Sequence, residues 1–398
     1  VVLAAAAALG AATWNRNQDY QSELALWRDT VEKRPGNARA YTALGAVLDR
    51  MGEREESIAC FKKAIHMEPP TAMAWQNLGA ALAEEGKTEQ AVEHFQKALE
   101  INPSFALSHA YLAGALKSLG RYDQALQHAA LAVTLRPNLA AGWLNRGAVL
   151  ALLGRNKEAA RDLARALRIK PDLIEARINL AKVLLTLKEP AVARNHAAAA
   201  VSQDPDLPEA HLALGQTLLA LGRYGEAEEA LAHARELDPD GLKPLLELGQ
   251  AAQNQGRLQE AMETYRQAME AHPGHPAPKV KVGMLLLQEG KKEEAIAYLE
   301  QAVKACPGYG LAHRNLGAAY MLAGRLEDAL AQHKLALKAW PSDAVAMANA
   351  GVTLVHLGRW KEAQEYLAKA LSLNPDLPKA MAYLNRITGG REEGGAGG

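Results

Sequence analysis

Asparagine stands at positions 77, 145, 179, 315 and 349, and every interval between these positions is a multiple of 34 residues. A primary amide offers a donor and an acceptor from one group. Amides repeated at a fixed step suit a partner whose own polar groups repeat, and an extended peptide backbone, with alternating N–H and C=O, is such a partner. The predicted chemistry is therefore noncovalent: a ladder of Asn77, Asn145, Asn179, Asn315 and Asn349 that holds main chain whatever its side chains. The same amides could instead bond the backbone of neighbouring helices within the protein.

Residues capable of other chemistry are scattered. Of the twelve histidines, His109, His211 and His313 share one slot, which Trp75 also occupies, so it reads as a packing position. His272 and His275 flank Pro273 and would need outside ligands to hold a metal. Cys60 and Cys306 are separated by more than seven 34-residue steps, too far to bridge within one stiff array. No phosphate-cradling glycine loop, metal-spaced Cys/His cluster or nucleophile motif is present. The sequence thus predicts a non-enzymatic protein with no cofactor and no metal.

The elements that would position the asparagines are set by proline. Eleven prolines, from Pro35 to Pro375, fall at an unbroken interval of 34 residues. Proline lacks a donor N–H and clashes with a preceding helical turn, so each one closes a helix. A fixed period of this length marks a solenoid whose units bury their apolar faces against neighbours. Within one unit, Trp75, Leu78, Gly79 and Leu82 form one face of a first helix, Gly86 breaks it, and Ala91, Phe95 and Ala98 line a second. The Gly79 slot holds only Gly or Ala in all ten units, as a close helix crossing demands. The inter-helix turn is Gly in nine of ten units; the exception is Lys188, followed by Pro190, where a locally different turn is predicted.

Trp75-x-x-Leu78-Gly79, then Ala91, Phe95 and Pro103, resembles the tetratricopeptide repeat in order and spacing. The resemblance covers Ala38 to Leu377 as ten full repeats with a degenerate half at each end. It implies an all-α, right-handed α-solenoid of helix-turn-helix units, with first helices lining a concave groove. Residues 1–19 form an apolar N-terminal helix and junction, 20–37 a half repeat with Leu24 and Trp27 inward, and 38–377 the ten repeats. Residues 378–388 form a closing helix with Met381, Leu384 and Ile387 inward, and 389–398 a flexible Gly-rich tail. The asparagine ladder is similar to that of O-linked N-acetylglucosamine transferase, which implies peptide in the groove. The carboxylate clamp of chaperone-binding relatives is not implied, because its Asn slot holds Ala46, Ala80, Gly114 and Ala148.

Composition narrows the partner. Lys plus Arg and Asp plus Glu both number 45, a net charge of zero. No basic stripe is present to displace phosphate counterions, so nucleic acid is not a predicted partner. Val1 to Thr13 carries no charge; alone it is shorter than the ~20 residues of a membrane span, and it reads as a membrane stub, a signal remnant or a packing helix. Either remnant would favour an extracytoplasmic or secreted location. Trp14 to Asp19, Ser22-Glu23 and Leu26-Trp27 resemble the junction in bacterial multi-span membrane repeat proteins and in transmembrane repeat O-mannosyltransferases. Three functions follow as expectations: a protein-interaction scaffold, an end-to-end filament, or the extracytoplasmic region of a membrane glycosyltransferase-like protein. Self-assembly or membrane contact would use Leu3, Leu9, Met381, Leu384 and Ile387.

Overall fold

The structure, a computed structural model, describes residues 22–389, and the described residues hold 22 α-helices and no strand. The expectations for Leu3, Leu9 and the rest of residues 1–21 lie outside the described residues. An opening helix, Glu23–Lys33, precedes ten helix pairs, the first Ala38–Arg50 with Arg54–Ile65 and the last Ala344–His356 with Trp360–Leu373; Pro378–Gly389 closes the series. Ser22 caps the opening helix by accepting from the Ala25 N–H, so that helix starts where the sequence reading placed its half repeat. Its residues are half-buried at best.

The repeats fall into two compact units, residues 1–204 and 205–398. Each has its core between first and second helices, where one pair of slots sets the packing. A Cβ added at Gly79 would lie 2.8 Å from the Phe95 ring, at Gly147 2.8 Å from Leu163 and at Gly283 2.7 Å from Leu299. Glycine is therefore required where the facing residue is large. Repeats three and five carry Ala113 and Ala181 instead, and there the facing residues are Ala129 and Ala197, all four buried. Volume is conserved across the slot pair, not at either position alone.

All nine turn glycines have φ between 72° and 83°. Lys188 corrects the expectation of a different turn: its φ is 63°, the same left-handed region. The hydrogen bonds agree as well, Glu189 N–H to Leu184 O at 2.9 Å matching Lys87 N–H to Leu82 O at 2.9 Å in repeat two. Pro190 is accommodated as the first residue of the following helix, where its missing N–H has no helical partner to lose.

The closing helix needs a second correction. Ala380 and Ile387 are buried, with Tyr383 and Leu384 packed beside them, so the inward face is 380, 383, 384 and 387. Met381 points outward and is 47% exposed.

Candidate functional site

The five asparagines share a place on the first helices, and all are half-buried, yet their amides do different things. Asn145 donates to the Ala110 carbonyl of the preceding repeat at 2.9 Å. Asn315 donates to Leu311 O, one turn back, at 2.8 Å. Both amides are spent on the protein's own backbone. The Asn77 oxygen accepts only a long 3.4 Å contact from Gln76, and the amides of Asn179 and Asn349 bond no protein group.

Asn77 and Asn179 also line open clefts on the first-helix face of residues 1–204. The Asn77 cleft is about 1070 Å³ and runs over the first helices of repeats one and two, Ala38–Arg50 and Ala72–Glu84. Arg39, Ala43, Ala46, Met73, Ile101 and Phe105 give it a mainly apolar lining. Met73 is 54% and Ile101 41% exposed, so large apolar groups meet solvent there. The Asn179 cleft is about 470 Å³. Its floor is Ala148 and Ala151, and its walls carry Lys117 and Ser118 on one side and Glu175, Asn179 and Thr186 on the other. Lys117 reaches Glu175 across the small floor residues, 3.7 Å away and two repeats on. Short side chains in repeat four are what open this depression.

In residues 205–398 the ladder slot changes character. It holds Ala213, Glu247, Lys281, Asn315 and Asn349. Glu247 accepts from Gln216 at 2.8 Å, and Lys281 donates to Gln250 at 2.7 Å. Gln250 in turn donates to Asn254 at 2.9 Å, and Gln253 to Gln288 at 2.8 Å. Burial pushes the Lys281 ammonium below its usual range, with Glu247 opposing. At Glu247 and Lys281 the slot is tied to side chains of the preceding repeat, whereas Asn349 stays open.

The histidines and their slot partners perform a structural task that spacing alone did not disclose. His109, Trp143, Arg177, His211, Lys279 and His313 each contact the carbonyl of the phase proline six residues earlier, at distances from 2.6 to 3.0 Å. A long side chain with an N–H donor is the common requirement. His109 then presents Nδ1 to His128 Nδ1 at 3.0 Å, which calls for Nε2–H on His109 and Nδ1–H on a neutral His128. His275 caps the helix Pro276–Gln288 by accepting from Ala277 N–H at 3.2 Å. Among the described residues no group of three or more His, Cys, Asp or Glu could hold a metal, and no helix is long and apolar enough to cross a membrane.

Two polar clusters escaped the sequence reading. Arg146 occupies the Leu78 slot and is held bidentately by Asp162, at 2.6 and 2.8 Å. Arg314 pairs with buried Asp343 at 2.9 Å, and beside them His333 is fully buried with neither ring nitrogen partnered. Burial pushes His333 down to about 4, with Asp343 opposing and Arg314 adding to the shift. Aligning the repeats would have exposed both clusters, since Arg146 and His333 stand in slots that hold only aliphatic or aromatic residues in the other repeats.

Tetratricopeptide repeat models match residues 38–71, 72–105, 94–127, 112–174, 178–241, 212–276, 246–309, 280–344 and 320–387. Among solved structures the chain is similar to yeast Tom70, with 14% identity and a TM-score of 0.53 over 89% of this chain and 96% of that one. It is also similar to the Cut9–Hcn1 hetero-tetramer of APC/C, with 14% identity and a TM-score of 0.50 over 94% of each chain. YrrB, titled a repeat protein with an unusual peptide-binding site, is 26% identical over 50% of this chain and 99% of its own, with a TM-score of 0.40. No match was found among curated proteins.

Proposed function

Because this chain belongs to the tetratricopeptide repeat family, whose members are generally non-enzymatic scaffolds typical of protein–protein interaction, we propose that it binds an extended segment of a partner protein on its first-helix face. The observation that carries this reading is the 1070 Å³ cleft at Asn77, where exposed apolar side chains surround an amide that is hardly engaged. Side chains of the partner enter the apolar lining, and its backbone meets the Asn77 amide. Asn179 offers the same group in a second cleft of residues 1–204. Asn145 and Asn315 are left out of the contact set, because each amide already donates to a backbone carbonyl of the protein.

Among the described residues the helix pairs are joined by connections of a few residues, which suits a protein that works through its helix faces. End-to-end self-association has a smaller basis, since among the described residues of that set Ile387 is already buried in its own core, leaving Met381 and half-buried Leu384. A random-sequence peptide array probed with the wild-type chain and with the Asn77→Ala/Asn179→Ala double variant tests the proposal. Loss of signal across the bound peptides in the variant is expected; an unchanged binding profile would remove both asparagines from the site.

A further inference from the structure

The fourth repeat departs from the other nine at two positions that face one cleft. Where Arg146 stands, seven of the other repeats have Leu and the remaining two Val282 and Ala350. Where Arg161 stands, the others have only Ala, Glu, Gln or Asn. The cleft, about 380 Å³, lies where the second helices of repeats three and four, Tyr122–Leu135 and Asn156–Ile169, meet the first helix of repeat four, Ala140–Leu152, and it shares no lining residue with the clefts at Asn77 and Asn179. Leu126, Ala130 and Leu150 form its apolar wall, and Arg146, Arg155 and Arg161 its basic one.

Asp162 fixes Arg146 through Nε and one terminal nitrogen, and the guanidinium stacks 4.6 Å from the Trp143 ring. Glu158 fixes Arg155 in the same bidentate way, at 2.7 Å for both bonds. Each arginine keeps its remaining terminal nitrogen for another acceptor, held in place before any ligand arrives. Arg161 is exposed and has no carboxylate within ion-pair distance. The Arg155 hydrogen bond, with the charges of Arg161 and Arg146, holds the Glu158 carboxyl below its usual range, and all four side chains line the one cleft. Three guanidiniums against two carboxylates leave one positive charge in the lining. The helix itself adds Lys157, Arg165 and Arg168, giving four basic to two acidic residues, the most positive second helix of the ten in a chain of zero net charge.

Stability does not explain this arrangement. A buried ion pair in place of a well-packed leucine is commonly neutral or destabilising, so Arg146 and Asp162 bring the core no gain over the residues other repeats use. Forked, fixed guanidinium donors suit tetrahedral oxyanions, and an adjoining apolar wall suits the group that bears one. We propose that this cleft binds a phosphate monoester carried on a small apolar body. The ester could belong to a free metabolite or to a phosphorylated side chain of a partner, and the two sources present the same dianion.

Isothermal titration calorimetry on the full chain with phenyl phosphate, benzenesulfonate and a capped phosphotyrosine tripeptide tests this site without touching the first-helix face. Phenyl phosphate is expected to bind saturably and better than benzenesulfonate, which lacks the ester oxygen and carries one charge fewer. Tighter binding of the tripeptide points to a protein source, and equal binding to a free ester. Arg161→Glu is expected to weaken phenyl phosphate roughly tenfold or more, as loss of a charge-assisted contact does. Arg146→Leu, the common residue at its slot, with Asp162→Ala, the residue found at position 230, should abolish binding while keeping the melting temperature. Equal affinity for the sulfonate, no saturable binding, or full binding by either variant would overturn the proposal.

Discussion

The ladder slot of residues 1–204 and that of residues 205–398 occupy the same place in the repeat, but the second is tied down at Glu247, Lys281 and Asn315, with Asn349 open, and the first at Asn145. In the first unit Asn77 and Asn179 look into clefts with little or nothing bonded to them. In the second, Glu247, Lys281 and Asn315 are tied to Gln216, Gln250 and the Leu311 carbonyl. The backbone address fixes where a side chain starts; the neighbouring repeat decides whether its polar atoms remain available. The rungs counted from sequence therefore differ in how far the protein itself engages them, with Asn145 among the engaged ones in the first unit.

The largest expected effect that sharpens the contrast lies in the core of the second unit. His333 is buried without a partner, and burial lowers it from the ordinary 6.5 to about 4. A depressed histidine contributes stability that is fully present above pH 6.5 and is lost as pH falls towards 4, because only the unfolded chain takes up the proton in that window. The difference of 2.5 between those two values corresponds to about 3 kcal/mol. Urea unfolding between pH 7 and pH 4 should show this loss in the wild type, with a shallower decline in His333→Leu, the residue found at positions 163, 231, 299 and 367. An unchanged pH slope in the variant would assign the acid sensitivity elsewhere.

Next in size is the helix crossing. Gly249→Ala drives a methyl into the fully buried Tyr265 ring and should cost roughly 1–3 kcal/mol in a denaturant melt. Ala181→Gly in the first unit faces only Ala197, so the loss there should be the helix-propensity difference, about 1 kcal/mol. Equal costs would contradict the volume matching of the slot pairs.

These cases separate what one chain of letters discloses from what it withholds. The proline phase, the helix limits and the glycine turns were legible because each rests on a local backbone rule. The turn at Lys188 was misjudged because a left-handed conformation is merely costly for a side-chain-bearing residue, and the hydrogen bonds from Glu189 to Leu184 hold it there. The face of the closing helix was off by one because Ala380, small and buried, carries the inward stripe that Met381 was expected to carry. The fate of Asn145 was beyond local reading altogether, since its acceptor is a carbonyl 35 residues away.

Smaller still is the effect at the turn itself. Lys188→Gly should stabilise the chain by up to about 1 kcal/mol by relieving a positive φ of 63°. No gain in thermal unfolding would mean that contacts of the lysine side chain offset the backbone term.

The account stands or falls on which asparagines face a ligand. The direct measurement is the affinity of one array-selected peptide for two double variants, Asn77→Ala/Asn179→Ala and Asn145→Ala/Asn315→Ala, with the melting temperature of each. A hydrogen bond of about 0.5–1.5 kcal/mol corresponds to roughly twofold to tenfold in affinity. The first pair should lose affinity on that scale per residue and keep its melting temperature; the second should keep its affinity and melt lower, each residue having given up one hydrogen bond to the backbone. The reverse pattern would contradict the division between open and occupied rungs.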